Sequence, residues 1–126
     1  MKMANLDKES ITKVVLKEVV RQNRGAEIHA KHTRDLPNPA RLAWKNKEEN
    51  YMPDIIVRNG KNGLSIYEIE LTDEFDIDKW RLYSMYARRS NGKLHLVLPR
   101  WLSGRAKEKI EECNLKNILV EFVTDA

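Results

Sequence analysis

Two apolar runs broken by acids constrain this chain more than any other feature. Pro53-Asp54 opens the run Ile55-Ile56-Val57, and Glu68 and Glu70 interrupt the run from Leu64 to Leu71. The linking segment Asn59-Gly60-Lys61-Asn62-Gly63 has the composition of a hairpin connection. Side chains alternate faces along a strand, so Glu68 and Glu70 point the same way, and a hairpin lets Asp54 join them. Burying unpaired charge is expensive, so three carboxylates set among isoleucines call for a cation. An all-oxygen set suits a hard divalent ion. The same acids have a plainer reading, as solvent-facing groups of an edge hairpin satisfied by Lys or Arg neighbours.

The charge distribution sharpens this. The net charge of the 126 residues is +4. Residues 1–50 carry 11 Lys/Arg and 7 Asp/Glu, residues 51–78 carry 2 and 7, and residues 79–126 carry 10 and 5. An acidic island therefore lies between two basic flanks. Basic surface attracts phosphate backbones, and an acidic pocket repels them unless a cation fills it. The expected substrate is thus a phosphodiester.

Other classes are set aside by composition. The single Cys113 excludes an internal disulfide and a cysteine zinc cage. Residues 1–7 lack the apolar core of a signal peptide, and no apolar run reaches the ~20 residues of a membrane span. The expectation is a single domain over 1–126, cytoplasmic and without a membrane partner.

Periodicity predicts a helix from Asp7 to Arg24, with Ile11, Val14, Val15 and Val19 as its apolar stripe and Gly25 as its stop. A short strand is expected within 26–33, a loop at Leu36-Pro37-Asn38-Pro39, and one helical turn then loop over 40–50. Strands follow at Ile55–Arg58 and Leu64–Leu71, then a helix from the capping segment Thr72–Asp76 to Ser90. Lys93–Leu98 reads as a strand, Ser103 as the cap of a helix with Ala106, Ile110 and Cys113 on one face, and Asn117–Val123 as a last strand. The predicted class is α/β, in the order α-(β)-β-β-α-β-α-β.

A helix, a hairpin with Pro-Asp on one strand and Glu-X-(Lys) on the next, then a helix and a strand, resembles the PD-(D/E)XK nuclease superfamily. The resemblance spans residues 10–123 in element order, although the motif itself is a few residues. It implies the restriction-endonuclease-like fold, a mixed central sheet flanked by helices. It also implies magnesium, with manganese as a substitute, held by Asp54, Glu68 and the backbone carbonyl of Ile69. The superfamily's Lys, which helps activate the attacking water, is replaced here by Glu70. Some restriction enzymes of the superfamily also carry Glu there, and others place an equivalent Lys on the neighbouring helix. Lys79 in Asp76-Ile77-Asp78-Lys79-Trp80 is the candidate, although a helical wheel sets it about 100° from the stripe of Ile77, Trp80, Ser84 and Ala87, pointing sideways or outward.

Glu18 falls inside the predicted stripe of the first helix, with Gln22 one turn later. Several nucleases of the superfamily use an acid there as an extra metal-site residue; the alternative is a Glu that snorkels to the rim or pairs with an Arg. Lys31 and Arg34 cluster with His29 and His32, Arg81, Arg88 and Arg89 decorate the central helix, and Arg100 and Arg105 flank a helix start. All seven Lys/Arg are candidates for phosphate contact, against the default of a solvated surface. Trp80 and Tyr83 are expected in the core or a subunit interface, and Cys113 in the core.

The leading expectation is a magnesium-dependent DNA endonuclease, directed by substrate structure or by a partner, acting as a homodimer, with RNA left open. The competing class is a catalytically silent nuclease-fold subunit that holds nucleic acid or a partner. A plain α/β interaction domain is the third.

Overall fold

The strand Leu64–Ile69 (β5) lies at the centre of the molecule, packing Leu64 and Ile66 into the core on one face and Tyr67 and Ile69 into the core on the other. In the computed structural model, which describes residues 7–60 and 63–123, it is the middle strand of a five-stranded mixed sheet. The elements in chain order are α1 (Lys8–Gln22), β1 (Glu27–Ala30), β2 (Leu42–Ala43), β3 (Asn50–Tyr51), β4 (Ile55–Arg58), β5, α2 (Ile77–Arg89), β6 (Leu94–Pro99), α3 (Ser103–Glu112) and β7 (Ile118–Val123). A single 3-10 turn, Arg100–Leu102, joins β6 to α3. The sheet order is β1-β4-β5-β6-β7, and β2 and β3 form a separate two-stranded sheet.

Pairing is antiparallel from β1 through β5 and parallel from β5 through β7. The change of direction follows from the connections. A connection of five residues joins β4 to β5, whereas the crossovers after β5 and β6 run through helices, which return the chain to run parallel. Lys61 and Asn62 of the expected hairpin connection lie outside the described residues; Asn59 N–H donates to the Gly63 carbonyl at 2.9 Å.

Helix α1 covers one face of the sheet, burying Leu16 and Val19 against Ile55 and Val57, and Ile11 against Ile69 and Val97. The other face packs Leu64, Ile66, Leu94, Leu96 and Leu98 against Trp80 and Tyr83 of α2, Leu102 of the 3-10 turn and Ala106 of α3. The β2–β3 hairpin adds Leu42, Trp44 and Tyr51 to that second core, with Tyr51 edge-on to Tyr83 at 6.4 Å between centroids. Gly92 fixes how α2 meets β5: a Cβ there would lie 1.6 Å from the Leu64 carbonyl oxygen. Its N–H closes the end of α2 by donating to the Ala87 carbonyl at 2.8 Å.

Most of the predicted elements appear within a residue or two of the expected bounds. Residues 40–50 differ: strands β2 and β3 stand where a helical turn was expected. Ser103 is also no cap, being the first helical residue of α3, which has no side-chain N-cap bond. No helix among the described residues is long and apolar enough to cross a membrane.

Candidate functional site

The antiparallel register sets the site. Ile55 pairs with Tyr67, so one step outward Asp54 faces Glu68. Side chains of Glu68 and Glu70 share the β5 face with Leu64 and Ile66, the face covered by α2. Asp54 is fully buried, and Glu68 and Glu70 are 2% and 9% exposed. Each of the first two acids locks the backbone of the other strand. The Ile69 N–H donates to Asp54 Oδ2 at 2.8 Å, and the Asp54 N–H donates to Glu68 Oε1 at 3.2 Å. Glu70 Oε2 accepts from the Trp80 indole N–H at 2.8 Å.

Three ammonium groups meet these carboxylates. Lys79 Nζ lies 2.8 Å from Glu68 Oε2 and 3.6 Å from Glu70 Oε2. Lys8 Nζ lies 3.2 Å from Asp54 Oδ2 and 3.5 Å from Glu68 Oε2. Lys31 Nζ is 3.6 Å from Asp54 Oδ1. Lys79 is placed by the N-terminus of α2, where Asp76 caps the helix by accepting from the Lys79 N–H at 3.1 Å. Lys8 is placed by the start of α1, where Asp7 accepts from the Ser10 N–H at 2.8 Å.

Burial pushes the Glu68 and Glu70 pKa values upward; the charge of Asp54 adds to this for Glu68, and that of Glu68 for Glu70. Burial opposes the Lys79 charge, but Glu68 and Glu70 more than offset it, so its pKa rises. The same balance, with Glu68 and Asp54, raises Lys8. Both lysines therefore stay protonated at neutral pH. Two buried polar atoms of this cluster have no hydrogen-bond partner among the described residues: Asp54 Oδ1 and the Tyr83 hydroxyl. Burial and the nearby negative charges of Glu68, Asp54 and Glu70 hold that hydroxyl strongly protonated.

The structure thus brings Asp54, Glu68, Glu70, Lys79 and Lys31 together, with the Ile69 backbone between the two glutamates. It corrects three expectations. Lys79 points inward, with 16% side-chain exposure, because helical Cα–Cβ bonds tilt toward the N-terminus and this one aims at the end of β5. Lys31 belongs to the acid cluster and is not a bare surface cation. Glu18 is more than half exposed and pairs with Arg21 and Gln22, away from the contacts of the cluster. The buried face of α1 runs through Ile11, Thr12, Leu16 and Val19, while Val14 is 61% exposed. The true stripe is therefore turned roughly 90° from Glu18.

The remaining basic candidates lie apart from the cluster's contacts. Arg81 donates to the Cys113 carbonyl at 3.2 Å, Arg105 pairs with Asp73, and Arg100 lies over the Phe122 ring at 5.2 Å. Arg88 and Arg89 are exposed in the last turn of α2. Arg34 is exposed and lines a groove of about 1080 Å³ between α1 and residues 32–36, with Lys13, Lys17 and His32.

Sequence reasoning missed Lys8, Trp80 and Tyr83 as members of the site. For Lys8 a signal existed. Extended one turn back, the buried stripe of α1 passes through position 8, so a lysine interrupts an apolar face just as Glu68 interrupts β5.

Comparison with protein-family models, curated proteins and solved structures finds no match. The chemistry of the site rests on its own geometry. Among the described residues no three Asp, Glu, His or Cys side chains are grouped closely enough to hold a metal as they stand. The Asp54–Glu68 pair nonetheless fits one divalent ion. A single ammonium already bridges the two carboxylates, Asp54 Oδ1 is buried without a hydrogen bond, and magnesium commonly takes only one or two carboxylates plus waters and substrate phosphates.

Proposed function

We propose that this protein is a metal-dependent phosphodiesterase, a DNA endonuclease of the restriction-endonuclease-like fold, acting in the cytoplasm as a homodimer. The observation that carries the reading is the buried pair Asp54 and Glu68, facing each other across two strands with Lys79 Nζ 2.8 Å from Glu68. Support at the level of architecture comes from the mixed sheet, in which the hairpin bearing the acids is followed by a helix and a parallel strand.

Asp54 and Glu68 would hold magnesium or manganese, with the Ile69 carbonyl as a further ligand by resemblance. Bound there, the ion supplies Lewis acidity at a phosphoryl oxygen and at water. The chain's own groups do the rest. Glu70, raised in pKa by burial and held by the Trp80 N–H, accepts a proton from the attacking water. Lys79, protonated at neutral pH, cannot act as a base. It orients Glu68 and Glu70 and sets positive charge where negative charge builds in the transition state. The groove lined by Lys13, Lys17 and Arg34, together with Glu9 and Asp35, would offer Lys17 and Arg34 to the flanking backbone, Lys13 being paired with Glu9.

One observation favours a second reading, a silent nuclease-fold subunit that binds nucleic acid or a partner. Lysines 8, 31 and 79 already match the three carboxylates in number, so the cluster is charge-balanced without a metal. Incubating the protein with branched, single-stranded and duplex DNA in magnesium, and again with a chelator, separates the two. Cleavage confined to the magnesium samples supports the enzyme. Salt-sensitive binding without cleavage in either supports the silent subunit.

A further inference from the structure

The three lysines of the cluster are not equivalent. Lys79 is 16% exposed and serves Glu68 and Glu70. Lys31 is 26% exposed and, among the described residues, pairs with Asp54 alone. Lys8 is the most open of the three, at 38%, and among the described residues it alone bridges Asp54 and Glu68. Its ammonium therefore stands between the two carboxylates assigned to the metal. A cation between two buried acids relieves their mutual repulsion, and any ion entering the gap must first displace it. The tether allows this. Lys8 is the first residue of α1, so its long side chain can swing toward solvent while the helix stays in place. A second observation concerns the same acids: the Tyr83 hydroxyl is fully buried, feels the charge of Glu68, Asp54 and Glu70, and has no hydrogen-bond partner among the described residues. A group with a lone pair or an aqua ion would satisfy it.

The geometry points to Lys8 as a tethered stand-in for the divalent ion, holding the Asp54–Glu68 gap in the metal-free protein and yielding it when metal binds. The displaced ammonium is then free at the mouth of the site to contact a phosphate of the substrate. This regulation rests on the metal-site reading above. It makes metal occupancy and phosphate contact rise together, because one event empties the gap and frees the cation.

The test is calorimetric titration of Mn²⁺ into the full chain, without nucleic acid, for the wild type, Lys8→Gln and Lys8→Arg. Lys8→Gln removes the competing charge and is expected to bind Mn²⁺ about tenfold tighter than the wild type. Lys8→Arg keeps the charge and is expected to show no gain. Lys8→Gln should also melt lower than the wild type without metal and gain more from saturating Mn²⁺. Equal or weaker Mn²⁺ binding by Lys8→Gln overturns the proposal and leaves the metal site standing. No Mn²⁺ binding by any of the three overturns both. A second measurement needs no variant: in the wild type, the Lys8 Cε resonance should move toward its free-lysine position on adding Mg²⁺. A resonance that stays fixed while Mg²⁺ binds refutes the displacement.

Discussion

Lys79 Nζ sits between two glutamates of one strand, 2.8 Å from Glu68 Oε2 and 3.6 Å from Glu70 Oε2. A helical lysine thus meets both acids of the strand. Two successive residues of α2 hold Glu70, Lys79 by its charge and Trp80 by its indole N–H.

Replacing Lys79 by Met should therefore do more than trim activity. It leaves two buried carboxylates short of their partner, which costs about 3–5 kcal/mol when a buried pair is broken. Thermal melts should show a stability loss of that order, and cleavage should fall by roughly 100-fold or more. Melts and cleavage rates within twofold of the wild type would show that Lys79 is peripheral.

Trp80→Phe tests the hold on Glu70. The indole N–H bond to Glu70 Oε2 at 2.8 Å lowers the Glu70 pKa against the upward push of burial. Without it that pKa rises further, so the acid limb of the pH–rate profile should move to higher pH. Stability should fall by about 1.5–3 kcal/mol for the lost bond to a charged group. An unmoved acid limb would remove Glu70 from proton transfer.

The pH dependence of stability has a definite sign. Glu68 and Glu70 have folded pKa values above the ordinary 4.5. A carboxylate of that kind takes up a proton on folding, so its ionisation costs stability as pH rises from the unfolded value through the folded one. Measured against a Glu68→Gln, Glu70→Gln double variant, the wild-type melting temperature should therefore decline as pH rises from 4.5 toward neutrality without metal. A relative increase over that range would contradict the assigned shifts.

Tyr83→Phe removes a buried hydroxyl that has no hydrogen-bond partner. An unsatisfied polar group is a cost, so the metal-free variant should melt at or above the wild-type temperature. A loss of more than about 1 kcal/mol would mean that the hydroxyl is satisfied in solution.

The hairpin was legible because two apolar runs flank a Gly/Asn-rich connection, and the alternation of side chains along a strand then set Glu68 and Glu70 on one face and let Asp54 join them. Helix α2 was legible from its caps, with Asp76 before it and Asn91-Gly92 after it. Strands β2 and β3 have two residues each, too few to show any period. Glu18 was misplaced because Val14 entered the stripe and Leu16 did not; burial of Thr12, whose hydroxyl donates to the Lys8 carbonyl at 2.6 Å, moved the stripe's centre. Lys79 reaches the acids through the way α2 seats on the end of the sheet, a tertiary fact that a wheel for one helix does not contain. Whether a basic residue meets a phosphate or a neighbouring acid is likewise decided by packing, as Arg105 with Asp73 shows.

Asp54 and Glu68 are proposed to hold a divalent ion with which the protein hydrolyses phosphodiesters. The most direct test is single-turnover cleavage of branched, single-stranded and duplex DNA, and of RNA, by the wild type and by the near-isosteric Asp54→Asn and Glu68→Gln, with Mg²⁺ or Mn²⁺. The account predicts metal-dependent cleavage of at least one substrate by the wild type and a loss of more than about 100-fold in each variant, with the fold retained. Wild-type rates in either variant, or no cleavage of any substrate by the wild type, would contradict it.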